Sequence, residues 1–236
     1  MLRLTLCFIL FFVNSAEAET VTLKAARDNT LYENKDGSIS NGAGSYIFAG
    51  STGANGIRRI LLHFDLSSIP HDSKIENAVL SLYMNKSKAG SSRLSAHRLL
   101  TDWGEGSSAG DGGEGLGAMA TTDDATWLHT FYDKIRWKIP GGDFITQSSA
   151  EEVVIDEGWY DWRSDPLKGD VEIWIKSPSE NFGWIILGDE KKSPTAKRFI
   201  SRNSIDPNFH PRLTVEYSPN SPTPVKKNSW GRIKSQ

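Results

Sequence analysis

The run Ile60-Leu61-Leu62-His63-Phe64 constrains the fold more than any other part of this 236-residue chain. Side chains alternate across an extended strand, so Ile60, Leu62 and Phe64 share one face and form one wall of a core. Leu61 breaks the alternation, which implies that the second face is also partly covered and that the strand is central. Asp65 ends it, and Ser67, Ser68 and Pro70 supply turn chemistry. The next run, Ala78 to Met84, places Ala78, Leu80, Leu82 and Met84 on one face. Two such strands joined by a Pro-containing turn are expected to pair centrally.

The rest of the chain repeats this grammar of short strands and polar turns. Val21–Ala25 alternates and is expected to end before Asp28-Asn29. Residues 34–45, rich in Gly, Asn, Asp and Ser, read as an exposed loop. Tyr46–Gly50 and Arg93–Leu100 read as strands. Between Gly104 and Gly117 half of the fourteen residues are glycine, and a structureless loop of that length usually has a task or a ligand. Val153–Ile155 returns to strand, before the aromatic cluster Trp159-Tyr160-Asp161-Trp162. Leu167, Val171, Trp174 and Ile175 fall at helical spacing, and Ser177-Pro178 ends that helix. Trp184–Leu187, Arg198–Ser201 and Arg212–Tyr217 complete the strands. The fold class is therefore all-β, a β-sandwich of jelly-roll-like type with one short helix.

Arg3, the apolar run from Leu4 to Val13 and Ala16-Glu17-Ala18 have the order of a secretory signal peptide over residues 1–18. Export follows as an expectation, to the extracellular space or a periplasm, with no membrane span because the apolar run is too short to cross a bilayer. Residues 19–218 then form the domain, and residues 219–236 a disordered Pro- and Lys-rich tail. The formal charge of −2 predicts neither nucleic acid nor an anionic membrane as partner. Cys7 is the single cysteine and lies in the leader, so residues 19–236 hold no disulfide and no thiol nucleophile.

Five short motifs in a fixed order resemble the DNRLRE-domain proteins, a family similar to carbohydrate-binding module family 96 and to the disaggregatase-related repeats. They are Arg59 to Pro70 as R-x-L-L-x-F-D-L-S-S-I-P, Asp102-Trp103-Gly104-Glu105-Gly106, Asn181-Phe182-Gly183-Trp184, Phe199-x-Ser201-Arg202, and Pro211-x-Leu213-x-Val215. The departure is Asn203, where the family has Glu. The resemblance spans about residues 22–217 and implies an exported protein that accompanies polysaccharide-active enzymes; some members are described as alginate-binding.

Nothing in the chain forms a nucleophile motif or a zinc-binding histidine pair, and the five histidines are scattered. A non-catalytic role in binding is the leading expectation, with a polysaccharide as partner and a uronic-acid-containing polymer as one candidate. Trp159, Tyr160 and Trp162 lie in a polar setting and could stack on sugar rings; alternatively, at least one of these indoles packs in the core. Arg59 and Arg202 could grip a uronate carboxylate bidentately, or could instead serve internal ion pairs with Asp65 or another carboxylate. Trp174 and Trp184 are expected in the core, with Trp103 anchoring the glycine-rich loop. Glu105, Asp111, Glu114, Asp123 and Asp124 could ligate a structural calcium, although they lack the spacing of a helix–loop–helix site. The competing readings are a structural protein of the cell surface or matrix, and a polysaccharide lyase or hydrolase.

Overall fold

The structure, a computed structural model, describes residues 17–219; most of the expected leader and tail lie outside the described residues. The first strands are β1 (Glu19–Tyr32), β2 (Ile39–Ser40), β3 (Tyr46–Ser51), β4 (Ile57–Phe64), β5 (Lys74–Ser87) and β6 (Ser92–Arg98). Short strands β7 (Ala118–Met119), β8 (His129–Phe131) and β9 (Ile135–Arg136) follow within the long loop region. The chain then forms β10 (Ala150–Val154), β11 (Gly158–Trp162), helix α1 (Asp165–Lys176), β12 (Trp184–Leu187), β13 (Lys197–Ile200) and β14 (Arg212–Ser218). The fold is thus mostly β with one α-helix.

Pairing closes a ring of six strands, β1-β14-β5-β13-β3-β4 and back to β1. Strand β1 makes the closure possible because it serves two neighbours. Glu19–Lys24 pairs with β14, and Ala25–Tyr32 pairs with β4 after a register shift between Ala25 and Arg27. Strands β12, β6 and β10 extend the sheet beyond β4, and β11 adds to β5. All pairings are antiparallel.

The alternation in β4 and β5 has its expected consequence, but the two strands do not pair. Strand β4 bonds to β1, β3 and β12, whereas β5 bonds to β11, β13 and β14. The Pro70 turn crosses the barrel, and the two apolar faces meet across its interior. Ile60, Leu62 and Phe64 join Ala78, Leu80, Leu82 and Met84 in one buried cluster. Leu61 points the other way into a second cluster with Leu31, Trp103, Trp127 and Ile185, roofed by the long loop region. That second layer explains why both faces of β4 are apolar.

Two local expectations are corrected. Strand β1 does not stop at Asp28-Asn29; it continues through them because their polar groups are bonded inside. The Asn29 amide donates to Ser40 Oγ at 2.9 Å and to the Glu105 carbonyl at 2.8 Å, and its oxygen accepts from the Asn41 N–H at 3.1 Å. For the same reason residues 34–45 are not an exposed loop throughout: Ser40 and Asn41 are buried under the glycine-rich segment. A Cβ on Gly42 would lie 1.7 Å from the Glu105 carbonyl oxygen, so only glycine permits this contact.

Helix α1 forms where its apolar stripe predicts. Ser164 caps it by accepting from the Leu167 N–H, and the Ser177 N–H closes the last turn on the Ile173 carbonyl. Its buried Trp174 lies against Trp184 with ring centres 4.5 Å apart. Among the described residues no helix is long and apolar enough to cross a membrane.

Candidate functional site

Strand β11 separates the aromatic cluster by its period of two. Trp159 points to the outer face of the barrel, and Tyr160 and Trp162 point inward. Trp162 is fully buried, donates its indole N–H to the Leu94 carbonyl at 3.1 Å, and packs edge-on against Phe199. It is a core residue and cannot serve as a sugar platform. Tyr160 packs against the same core, and its hydroxyl ties the β10–β11 turn by accepting from the Ile155 and Asp156 N–H groups and donating to the Asp156 carbonyl. No hydroxyl is left there for a ligand, so Tyr160 is also corrected.

Trp159 belongs to a different cluster, which the sequence reading missed. On the outer face it meets Tyr83 edge-on at 5.5 Å and stacks near-parallel to Phe209 at 6.4 Å. Tyr83 and Phe209 approach to 4.3 Å, and the Arg212 guanidinium sits 4.0 Å above the Trp159 ring. All four residues are half-buried. Tyr83 arrives there because it alternates with the core residues Leu82 and Met84, a signal present in the sequence.

The same outer face leads along β5 to a cleft of about 660 Å³. A bulge at Asn85 breaks the β5–β13 register and sets Lys86 opposite Arg198. Arg198 donates from Nε to Asn85 Oδ1 at 3.0 Å and lies 3.8 Å over the Tyr46 ring. The cleft is lined by Phe48, Arg58, Lys86, Lys88, Arg198 and Asp111, among others. Among the described residues none of these four cations forms an ion pair. Arg58 is held by the Ile57 and Gly115 carbonyls, and its buried Nε has no partner. The wall carrying Lys86 and Lys88 is pinned from within by Lys197. That buried ammonium donates to Ser87 Oγ at 2.8 Å and to the Gly90 carbonyl at 2.6 Å.

Arg59 and Arg202, the cations singled out by the sequence, serve the fold instead. Arg59 makes a bidentate pair with Glu190, both bonds at 2.8 Å, and donates to the Gly141 carbonyl while lying over Trp127. Its partner is Glu190 and not Asp65, whose carboxylate accepts from the Ser67 N–H. Arg202 pairs with both oxygens of Glu105, at 3.1 and 3.0 Å. Its backbone N–H donates to Asp28 Oδ2 at 2.6 Å. Burial pushes the Asp28 carboxyl up to about 8, against the lowering effect of that N–H. Burial raises Glu105 as well. Both arginines are therefore committed to internal carboxylates.

The five loop carboxylates do not converge on a calcium site. Glu105 takes Arg202 and the Asp28 N–H. Glu114 accepts from Asn41 Nδ2 and from the Ser45 and Tyr46 N–H groups at 2.9–3.0 Å. Asp124 accepts from the N–H groups of Thr121 and Ser108 and from the Thr121 hydroxyl. Asp123 pairs with Lys134, and Asp111 stands exposed at the cleft. Among the described residues no three His, Cys, Asp or Glu side chains gather as a metal-ligating group. The loop's negative charge is met by N–H donors and cations. Gly106, at φ +72°, lets the Asp124 carboxylate come that close, since a Cβ there would fall 1.8 Å from Asp124 Oδ1.

No protein-family model matches the chain, and no curated protein does.

Proposed function

We propose that the protein is an exported, non-catalytic polysaccharide-binding module whose ligand is an acidic polymer laid along the outer face of β11, β5 and β13. One observation carries this reading: four cations without ion pairs line a cleft on the same face as a half-buried aromatic cluster. A sugar ring packs its C–H face on Trp159, Tyr83 and Phe209, while Lys86, Lys88 and Arg198 take the carboxylates of the following residues. Cations that no internal carboxylate neutralises are the ones available to an anionic ligand, and a cleft of about 660 Å³ is within the range of ligand sites. The motif resemblance to the DNRLRE-domain proteins supports the same reading, and so does the leader-like N-terminal sequence. In this reading the ring of strands is a flattened, jelly-roll-like sandwich.

Affinity electrophoresis of residues 19–236 through gels containing polygalacturonate, alginate or a neutral glucan tests it. Retardation by an acidic polymer that weakens with added salt supports the proposal, because exposed charge contacts are screened. Free migration in every gel overturns it and favours a structural role at the cell surface. Release of shorter products from the polymer would instead make the protein a lyase or hydrolase.

A further inference from the structure

The chain holds two Asn-Gly pairs, Asn41-Gly42 and Asn55-Gly56. An asparagine before glycine can modify itself, because no Cβ shields the glycine nitrogen from the neighbouring side-chain amide. The structure gives the two pairs opposite surroundings. Asn41 is 1% exposed and its amide is fully engaged. Its Nδ2 donates to the Tyr46 carbonyl and to Glu114 Oε2, both at 2.9 Å, and its Oδ1 accepts from the Gly110 N–H at 2.8 Å. With both amide atoms held and water excluded, this pair is locked. Asn55 stands in the turn between β3 and β4, where residues 53–55 are all exposed. Among the described residues its side-chain amide has no partner. Its backbone is left-handed, at φ +61°, a region that asparagine enters more readily than most side chains.

Three bonds within this turn restrain it. The Asn55 N–H donates to the Thr52 carbonyl at 2.9 Å, the Thr52 N–H to the Gly56 carbonyl at 3.0 Å, and the Gly56 N–H to Thr52 Oγ1 at 3.1 Å. An exposed turn tied only to itself opens at little cost, and opening frees the Gly56 nitrogen, on which Thr52 Oγ1 is the brake. The same turn borders the cationic cleft. Thr52, Gly53 and Arg58 line that cleft, and a Cβ on Gly56 would lie 3.1 Å from Arg58 Nη1. We propose that Asn55-Gly56 is a self-modification site, where water converts the Asn55 amide to a carboxylate and so adds a negative charge at the rim of the cleft. The Gly56 nitrogen attacks Asn55 Cγ and gives up its proton to solvent, while the side-chain nitrogen leaves as ammonia and a cyclic imide forms. Water then opens the imide. Breaking the bond to Cγ gives aspartate, and breaking the bond to the backbone carbonyl gives isoaspartate. No oxidant or cofactor is needed. The modification itself is independent of any ligand; its effect on binding rests on the acidic-polymer reading, since a carboxylate at the rim repels an anionic chain.

The test is a time course of residues 19–236 held folded at pH 8 and 37 °C in ¹⁸O-labelled water, followed by mass spectrometry of chymotryptic peptides. Cleavage at Tyr46 and Phe48 puts Asn41 and Asn55 on separate peptides. The expected result is that the Asn55 peptide exchanges its amide for an acid carrying one labelled oxygen, while the Asn41 peptide keeps its mass. Gly56→Ala should slow the exchange several-fold by crowding the attacking nitrogen, and Thr52→Val should speed it by releasing that nitrogen. An unchanged Asn55 peptide, or equal rates at Asn41 and Asn55, overturns the proposal. Asn55→Asp, a permanent form of one product, should lose affinity for polygalacturonate at low salt, with a loss that shrinks as salt is added. Binding equal to that of the wild type overturns the effect on the cleft. A wild type that binds no polymer overturns the acidic-polymer reading instead, and the peptide masses still decide the modification.

Discussion

Asp28→Asn should change how stability depends on pH, and by an amount that the site itself sets. Asp28 is wholly buried in β1, with Oδ2 accepting the Arg202 N–H and Oδ1 without a partner. Burial raises its carboxyl to about 8, so the folded protein keeps a proton there that the unfolded chain, with a value near 3.8, releases. For a raised value, the stabilising contribution is complete below the unfolded value and is lost as pH rises through the folded one. Each pH unit between these limits removes about 1.4 kcal/mol. The comparison over the window from pH 6.5 to 8 isolates the effect: His63, lowered by burial to about 4 from 6.5, is neutral in the folded state there, and its titration in the unfolded chain is the same in both proteins and cancels. Across that window Asp28 should cost the wild type about 1.5–2 kcal/mol. Asparagine stays neutral throughout, and its amide oxygen can still accept the Arg202 N–H. Urea denaturation of both proteins at several pH values should show the wild type losing stability relative to the variant by about that amount. Parallel pH profiles for the two proteins would refute the reasoning, since all other titrating groups are common to both.

Phe64→Ala, which empties a site 1% exposed and edge-on to Trp184, should cost about 3–5 kcal/mol; an unchanged denaturation midpoint would remove β4 from the core. Trp162→Ala should lower the melting temperature by several degrees, whereas Trp159→Ala should leave it nearly unchanged and weaken polymer binding, and equal melting temperatures would contradict the inward and outward assignments. Glu190→Gln should cost about 1–3 kcal/mol by leaving the Arg59 guanidinium without its countercharge, read as a shift in urea midpoint. EDTA should leave the melting temperature unmoved, and a fall of several degrees would show that the loop carboxylates hold a metal after all.

Period-two alternation made most of the strands legible, because a strand with one face on the core must alternate. The same pattern carried no information about partners. Ile60/Leu62/Phe64 and Ala78/Leu80/Leu82/Met84 read equally well as neighbours in one sheet or as opposed faces of one core. The second arrangement holds, and only the tertiary pairing of β1 and β3 with β4 decides it. Asp28 and Asn29 read as a strand end since their burial depends on acceptors and donors that arrive from residues 40, 41, 105 and 202. The loop carboxylates looked like metal ligands for a related reason: a sequence displays acceptors but not the backbone N–H groups that will satisfy them.

Of the candidate site, the sequence singled out Trp159 alone. Adjacent aromatics in a strand face opposite ways, so Trp159-Tyr160-Asp161-Trp162 could never have formed one platform, and recognising it as a strand would have separated Trp159 from Tyr160 and Trp162. Tyr83 was available by the same alternation within β5. Phe209, Arg212, Lys86 and Lys88 were not, because they meet Trp159 or the cleft only through strand pairing and turns. Arg59 and Arg202 drew notice through their motifs, yet the Glu190 and Glu105 partners that consume them lie 131 and 97 residues away in the chain.

The central claim is that an acidic polymer lies across the cleft carrying Lys86 and Lys88, and the measurement that tests it most directly is the salt dependence of polygalacturonate affinity. Wild type and Lys86→Ala/Lys88→Ala should be compared by isothermal titration over a series of salt concentrations. The account predicts salt-sensitive binding in the wild type, with a weaker affinity and a shallower salt slope in the double variant at an unchanged melting temperature. Equal affinity and equal slope in the two proteins would contradict it.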